Sequence, residues 1–175
     1  MSTEIKQCDN KPIIVNKTTN DNKPTTDNKP KATVVNIKVE NLRRRNFDSI
    51  LEWKQKSDKN VYIGRDMTCW IPGTEKSKFH NPYNVKQYGA KVIPLYLEYL
   101  EQNPKLLQAA RDELQGCELG CWCKPEMCHG DMLAEIANNT ELTPLECVAQ
   151  VKLKLACVSQ AKLESVNHTS QLEAS

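Results

Sequence analysis

The feature that most constrains the fold of this chain is a twelve-residue stretch with the sequence GCWCKPEMCHGD, which we call the central turn (residues 120–131). A short apolar segment leads into it, Pro125 interrupts it, and an amphipathic pattern with Met132, Leu133 and Ile136 follows it. This order predicts a strand, a tight turn and a helix. Three cysteines and one histidine in the turn exceed what packing requires, so chemistry or metal binding is the first question.

The flanking segments predict an α/β domain. Clusters of β-branched residues indicate strands, and helical spacing of apolar residues indicates helices, with Asn46 as the cap of the first helix. The chain between Val61 and Leu119 is long enough to cross over, which allows their strands to pair in parallel. We therefore predict a small layered α/β domain with a short, mostly parallel sheet flanked by helices. The predicted elements are strands at 33–39, 61–63 and 117–123, and helices at 46–53, 91–100, 103–116, 131–138 and from 143 onward.

The two ends of the chain differ from its middle. Residues 1–31 are dominated by Asn, Lys, Thr, Asp and Pro, a composition that predicts a disordered arm because it buries little apolar surface. Residues 32–139 form the predicted α/β domain. Residues 140–175 form a predicted C-terminal helix and tail, which opens with the capping box Thr143-Pro144-Leu145-Glu146. The basic surplus lies at the start of the chain, where residues 1–46 carry ten Lys and Arg against five Asp and Glu.

Composition also limits the compartment. No window approaches the ~20 apolar residues of a membrane helix, so we expect no membrane partner. The chain contains eight cysteines and is long enough to bury a core without covalent cross-links. In a reducing environment, such cysteines are typically free thiols, metal ligands or catalytic groups. The expected location is therefore intracellular, either cytoplasmic or nuclear.

The first interpretation of the central turn is a metal site. Cys121, Cys123, Cys128 and His129 supply the thiolate and imidazole ligands that tetrahedral Zn²⁺ prefers. The adjacent Cys128 and His129 would both have to reach one ion, and Cys117 or Cys69 could substitute for one of the four. Zinc is the expected cofactor under this interpretation.

The second interpretation is a catalytic or anion-binding site. Cys128 and His129 precede the predicted helix, where unpaired N–H groups favour a thiolate or a bound phosphate. Arg65 follows the strand at 61–63 and would reach the same edge of the sheet if the two strands are neighbours. In an enzyme, Cys128 would be the nucleophile or a ligand, His129 the general base or acid, Arg65 an anion clamp and Asn81 a positioning donor.

A third interpretation needs no ligand. Under it, the cysteines pack as small apolar residues, Trp122 belongs to the core, and His129 caps a helix. The loop from Asp66 to Asn84 bears on all three interpretations, because long loops inside compact domains are uncommon unless they are functional or disordered. Since this loop contains several aromatic side chains, we expect it to be ordered and to cover a site.

Five short motifs together resemble one known family, the domain of unknown function 4326, over roughly residues 33–138. The resemblance implies the same domain and motif set, which the family shares among bacteria, phages, large DNA viruses and some eukaryotes, but it implies no particular reaction. The family pattern Trp-Gly-Asn-Pro stands here as Phe79-His80-Asn81-Pro82. The motifs are VYIGR at 61–65, NPY at 81–83, YLEYL at 96–100, LGCWCKP at 119–125 and CHGD at 128–131.

Two functions remain open at this stage. The first is an α/β domain with a Cys/His/Arg pocket that binds a phosphate-bearing small molecule or nucleic acid, with zinc as a candidate cofactor. The alternative is a non-catalytic zinc-binding interaction module. The residues leave open whether the chain is an enzyme.

Overall fold

A computed structural model describes residues 29–172 of the chain, and the side chains of residues 29–158. The predicted disordered arm at 1–31 therefore lies outside the described residues, apart from its last three positions. Among residues 29–172, no helix combines the length and the apolar character needed to cross a membrane.

A three-stranded parallel sheet forms the centre of the fold. Its strands are β1 (Thr33–Asn36), β2 (Asn60–Tyr62) and β3 (Glu118–Cys121), in the order β1-β3-β2. Val61 pairs with Leu119, so the predicted parallel pairing of these two strands is confirmed. Because β3 lies between the other two strands, its carboxyl end is held on both sides. The first strand ends at Asn36, three residues earlier than the predicted boundary at residue 39.

Helices cover both faces of the sheet. Successive residues in β3 and just after it face opposite sides of the sheet. Leu119 and Cys121 belong to the main core, whereas Gly120 and Trp122 lie against a smaller core around Trp53. The α/β class is thereby confirmed. The helices are α1 (Val39–Arg43), α2 (Ile50–Lys56), α3 (Val85–Tyr88), α4 (Val92–Glu101), α5 (Pro104–Glu113), α6 (His129–Asn138) and α7 (Pro144–Leu172), with a 3-10 turn at Gly89–Lys91 between α3 and α4.

The start of α2 corrects one prediction. Asn46 is not a helix cap: it has a φ of 64°, a left-handed conformation that asparagine tolerates better than most residues. Ser49 caps the helix instead, since its hydroxyl accepts a hydrogen bond from the backbone N–H of Glu52 at 3.1 Å. Helix α1 was not predicted, because Val39 continues the β-branched pattern of the preceding strand.

The C-terminal helix α7 begins as predicted and packs closely against the domain. The hydroxyl of Thr143 accepts from the backbone N–H of Glu146, and the Glu146 carboxylate accepts from the backbone N–H of Thr143, which completes the capping box. Cys147, Val148 and Val151 are buried in the main core. The first turns of α7 are therefore part of the folded core rather than a separate appendage.

Candidate metal centre

The central turn joins the carboxyl end of β3 to the first residue of α6. Cys121 is the last residue of β3, and His129 is the first residue of α6. Three of the four predicted ligands are buried: the exposed fractions are 2% for Cys121, 0% for Cys128 and 6% for His129. Cys123 lies on the turn itself and is half-buried. The strand and the helix thus fix one ligand each, and the turn carries the other two.

The donor atoms of these four residues converge on one point. The three sulfurs and a ring nitrogen of His129 all lie within 4.8 Å of one another. The Sγ atoms of Cys121 and Cys123 are 3.4 Å apart, and His129 Nδ1 is 3.8 Å from the Sγ atoms of both Cys121 and Cys128. Tetrahedral zinc, with bonds of about 2.0–2.3 Å, places its ligand atoms roughly 3.5–3.8 Å apart. The 3.4 Å and 3.8 Å separations lie near these values and the full set extends to 4.8 Å, so the four groups are close enough to bind one metal ion.

His129 is oriented for this role by a backbone carbonyl. Its Nε2 lies 3.0 Å from the carbonyl oxygen of Ile63, just beyond the end of β2. A carbonyl oxygen only accepts, so Nε2 must carry the hydrogen, and in the neutral ring Nδ1 then presents its lone pair to the sulfurs. Histidines that bind metals are commonly held in this way by their second nitrogen. The ring of Tyr96 packs edge-on against His129 with a centroid distance of 5.3 Å.

Helix capping explains how adjacent residues reach the same point. Cys128 has an extended backbone and serves as the N-cap of α6, whereas His129 is already helical. The Sγ of Cys128 accepts from the backbone N–H of Gly130 at 3.3 Å, and the N–H of Cys128 donates to the Asp131 carboxylate at 3.1 Å. Lys124 forms an ion pair with Asp131 at 2.6 Å. The change of backbone conformation between the two residues turns both side chains toward Cys121.

The four groups differ in how strongly they hold a proton. Hydrogen bonds from the Cys123 and Cys128 thiols hold the pKa of Cys121 far below its usual range, against the effect of burial. Cys121 first, and then Cys123, raise the pKa of Cys128, because a second thiolate beside the first is unfavourable. Burial lowers the pKa of His129, but the Cys121 and Cys123 sulfurs outweigh it and raise that pKa to about 9. The pocket therefore favours a thiolate sulfur beside a positively charged group.

Arg65 and Asn81 lie together in the loop that follows β2. The guanidinium of Arg65 donates to the carbonyl oxygens of Asn81 at 3.1 Å and Tyr83 at 2.5 Å. The side chain of Asn81 is buried, accepts from the N–H of Tyr83 at 2.9 Å and donates to the carbonyl of Val92 at 3.4 Å. These bonds join the loop to itself and to the start of α4. The roles of Arg65 as an anion clamp and of Asn81 as a positioning donor stay predictions.

The loop itself is anchored beside His129. Phe79 is buried in the main core, and its carbonyl oxygen accepts a hydrogen bond of 2.8 Å from the hydroxyl of Tyr96. His80, which departs from the family pattern, makes a local contact within the loop: its Nδ1 lies 2.7 Å from the carbonyl oxygen of Ser77. Sequence reasoning missed two partners of the site, the Ile63 carbonyl and the ring of Tyr96. Neither leaves a sequence signal, because one is a backbone atom and the other follows the apolar spacing of α4.

Comparison with known proteins identifies relatives in two viruses. An "Uncharacterized 12.4 kDa protein in nrdA-td intergenic region" of Enterobacteria phage T4 is 47% identical over 90 residues, which are 49% of this chain and 73% of that protein. An "Uncharacterized protein R718" of Acanthamoeba polyphaga mimivirus is 30% identical over 87 residues, covering 44% of this chain and 65% of that protein. No solved structure gave a significant match.

A family model supplies the broader assignment. The family described as "Domain of unknown function (DUF4326)" matches residues 49–139, just over half of the chain. The match includes β2, β3 and all four converging side chains, whereas β1 and α7 lie outside it. It therefore begins later than the resemblance read from the motifs, but it contains the whole central turn. This chain belongs to the DUF4326 family.

Proposed function

We propose that this chain is a non-catalytic metal-binding module that holds one zinc ion through Cys121, Cys123, Cys128 and His129. The observation that carries the proposal is the convergence of four donor atoms within 4.8 Å, with the His129 ring held by the Ile63 carbonyl so that Nδ1 faces the sulfurs. Three thiolates and one imidazole are a ligand set that zinc prefers. Four protein ligands close the coordination sphere, as in structural zinc sites.

The surroundings of Cys128 favour a cation over a nucleophilic role. Its sulfur has no exposed surface and already accepts a hydrogen bond from the N–H of Gly130. The carboxylate of Asp131 occupies the first turn of α6, where a bound phosphate would otherwise meet free N–H groups. A negative ligand would approach a carboxylate and several sulfurs there, whereas a divalent cation would be attracted by them.

Such an ion would fix the strand end at Cys121 relative to the helix start at His129, across the short turn between them. It would link the end of β3, the turn and the start of α6, and the hydrogen bond from His129 to Ile63 extends this link to the end of β2. The proposed role of the ion is therefore to stabilise the carboxyl edge of the sheet. Binding of a phosphate-bearing small molecule or nucleic acid at this edge remains a separate prediction, for which Arg65 is the basic residue nearest in sequence to Ile63.

Metal content measured on the purified full chain tests the proposal. We expect about one zinc per chain by elemental analysis, and replacement with Co²⁺ should give the absorption bands of a tetrahedral thiolate site. Cys121→Ser should lower zinc affinity by at least the 10-fold that loss of a supporting residue alone typically causes. Cys117→Ser is the matched control, because Cys117 is also buried beside β3 but its thiol points to the carbonyl of Glu113 at 3.2 Å.

Three results would reject the zinc site. The first is a folded, metal-free chain that binds neither Zn²⁺ nor Co²⁺. The second is an equal loss of zinc from the Cys117→Ser control and from Cys121→Ser. The third is iron and sulfide in place of zinc, with the visible absorption of an iron–sulfur cluster, since cysteine and histidine also hold such clusters.

A further inference from the structure

We propose that Cys121 and Cys123 form a redox-sensitive pair, which a peroxide converts to a disulfide with release of the bound metal. This inference rests on the proposed zinc site and adds a chemical control to it. It is carried by the geometry of the two sulfurs, by the different exposure of the ligands, and by the separate use that the fold makes of Cys128.

The two sulfurs are already in van der Waals contact. The Sγ atoms of Cys121 and Cys123 are 3.4 Å apart, whereas the full set of donor atoms extends to 4.8 Å. Residues two apart in an extended segment place their side chains on the same side, which is how the pair comes together. A disulfide has an S–S bond of about 2.05 Å, so the sulfurs need to approach by roughly 1.4 Å. Side-chain rotation and the turn after Cys121 can supply this movement.

The ligands differ in their access to solvent. Cys123 is half-buried on the turn, whereas Cys121 and Cys128 are buried. A small oxidant therefore meets the sulfur of Cys123 first. The sulfur of Cys128 caps α6 by accepting from Gly130, so moving it would also cost a helix cap. The helix cap at Cys128 and the 3.4 Å separation of the other two sulfurs select Cys121 rather than Cys128 as the partner of Cys123.

The reaction with hydrogen peroxide balances in two steps. The Cys123 thiolate attacks one peroxide oxygen, the O–O bond breaks, and a sulfenic acid and hydroxide form. The Cys121 thiolate then attacks the Cys123 sulfur, the S–O bond breaks and a second hydroxide leaves. Each hydroxide takes up one proton from the buffer and becomes water. Two thiolates are oxidised by two electrons in all, the peroxide is reduced to two waters, and Zn²⁺ leaves without changing its oxidation state.

Loss of the pair would leave the metal with only two of its four protein ligands. Cys128 and His129 keep their places, because one is held by the helix cap and the other by the Ile63 carbonyl. A reductant that restores both thiolates would therefore restore a site that is already half assembled. The expected behaviour is reversible release and rebinding of zinc.

The experiment uses the full chain loaded with zinc, in a background where Cys8, Cys69 and Cys157 are replaced by serine. Cys69 and Cys157 are exposed thiols that would otherwise consume the oxidant. Protein is treated with one equivalent of hydrogen peroxide, released zinc is followed with a chromogenic chelator, and free thiols are then alkylated. Digestion after glutamate yields Leu119–Glu126, which contains Cys121 and Cys123 and no other cysteine, while Cys128 falls in the next peptide.

We expect one zinc released for each Leu119–Glu126 peptide that has lost two hydrogens and resists alkylation. Dithiothreitol should restore zinc binding. Cys123→Ser should abolish the disulfide, whereas Cys117→Ser should leave both the disulfide and the zinc release unchanged. A cross-link between Leu119–Glu126 and the peptide that contains Cys128 would overturn the inference, as would zinc release with sulfinic acid and no disulfide.

The design separates failure of the pair from failure of the zinc site. If the untreated protein holds no metal, the proposed function fails, and the pair is then judged by the Leu119–Glu126 disulfide alone. If zinc is bound but peroxide neither releases it nor links the two sulfurs, the zinc site stands and the redox pair is rejected.

Discussion

Gly120→Ala would put a methyl group into a close contact of the smaller core. A Cβ there would lie 2.5 Å from Cη2 of Trp53 and 2.8 Å from Cγ2 of Ile37. Trp53 cannot swing away freely, because it is fully buried and its indole N–H donates to the Glu118 carboxylate at 2.6 Å. The backbone of β3 cannot retreat either, since it is paired with β1 and β2 on both sides.

The expected cost follows from two opposing effects. Overpacking of a close-packed core destabilises by about 1–3 kcal/mol. Replacing glycine by alanine also restricts the unfolded chain, which stabilises by about 0.4–1 kcal/mol. Because two rigid groups are overlapped at once, we place the packing cost of Gly120→Ala at the upper end, which leaves a net destabilisation of roughly 2 kcal/mol. The melting temperature should fall by roughly 4–8 °C for a chain of this size.

Urea unfolding, followed by circular dichroism, measures this cost. The experiment should be run with saturating zinc and again with a chelator, so that metal loss and core strain are separated. Gly89→Ala is the control for backbone strain without overlap: Gly89 has φ 52° and ψ −132°, and a Cβ there meets nothing within 4 Å, so only strain of about 1–3 kcal/mol is expected. Adding Trp53→Phe to Gly120→Ala should relieve the overlap, and the double variant should be more stable than the sum of the two single changes predicts.

Two outcomes would refute the reasoning for Gly120. One is a Gly120→Ala variant within about 0.5 kcal/mol of the wild type, which would mean that the smaller core yields without cost. The other is strict additivity of Gly120→Ala and Trp53→Phe, which would show that Trp53 is not the group that resists the new methyl.

Two further variants test charged groups near the sheet. Burial raises the pKa of Glu118, but hydrogen bonds from Arg45 and Trp53 outweigh it and lower that pKa below 4.5. The stabilisation that the ionised Glu118 gives the folded chain is therefore present above the unfolded pKa and is lost as the pH falls through the folded pKa. Glu118→Gln should lower the free energy of unfolding by roughly 1 kcal/mol at pH 7. The free energies of unfolding of the variant and the wild type should converge below pH 4.5. A difference between them that stays constant with pH would contradict this. Arg65→Met removes two hydrogen bonds to loop carbonyls and should lower the free energy of unfolding by roughly 1–2 kcal/mol. Limited proteolysis should cut residues 66–84 faster, while the zinc content stays unchanged. A variant that loses its zinc would contradict the loop role.

The Cys/His cluster was predictable because its four residues are local in sequence. Three cysteines and one histidine within nine residues predict a metal site, and the same stretch predicts the strand and helix that hold it. The parallel pairing of Val61 with Leu119 was predictable from the crossover rule. The carbonyl of Ile63 was not, because a backbone contact between residues 66 positions apart has no side-chain signature.

Other misses have equally physical reasons. Asn46 has the composition of a helix cap, but its left-handed backbone was invisible in the sequence, and Ser49 took the role. The hydrogen bonds of Arg65 and Asn81 to backbone groups were also invisible in the sequence, and the roles of both residues toward a ligand stay predictions. Burial of Cys147 beside Arg111, whose guanidinium lies 3.2 Å from its sulfur, depends on packing that no short motif records.

The compactness of the ligand set along the chain has a consequence for the order of assembly. All four ligands lie between residues 121 and 129, whereas the first pair of β1 and β3 joins Thr33 to Glu118. Closing the shorter loop costs roughly 2 kcal/mol less chain entropy than closing the longer one. The centre therefore has a much lower contact order than the sheet beside it. An ion bound there would hold the end of β3 against the start of α6 within a segment that needs no strand pairing. The carbonyl of Ile63 and the ring of Tyr96 would then be the partners that come from distant parts of the chain.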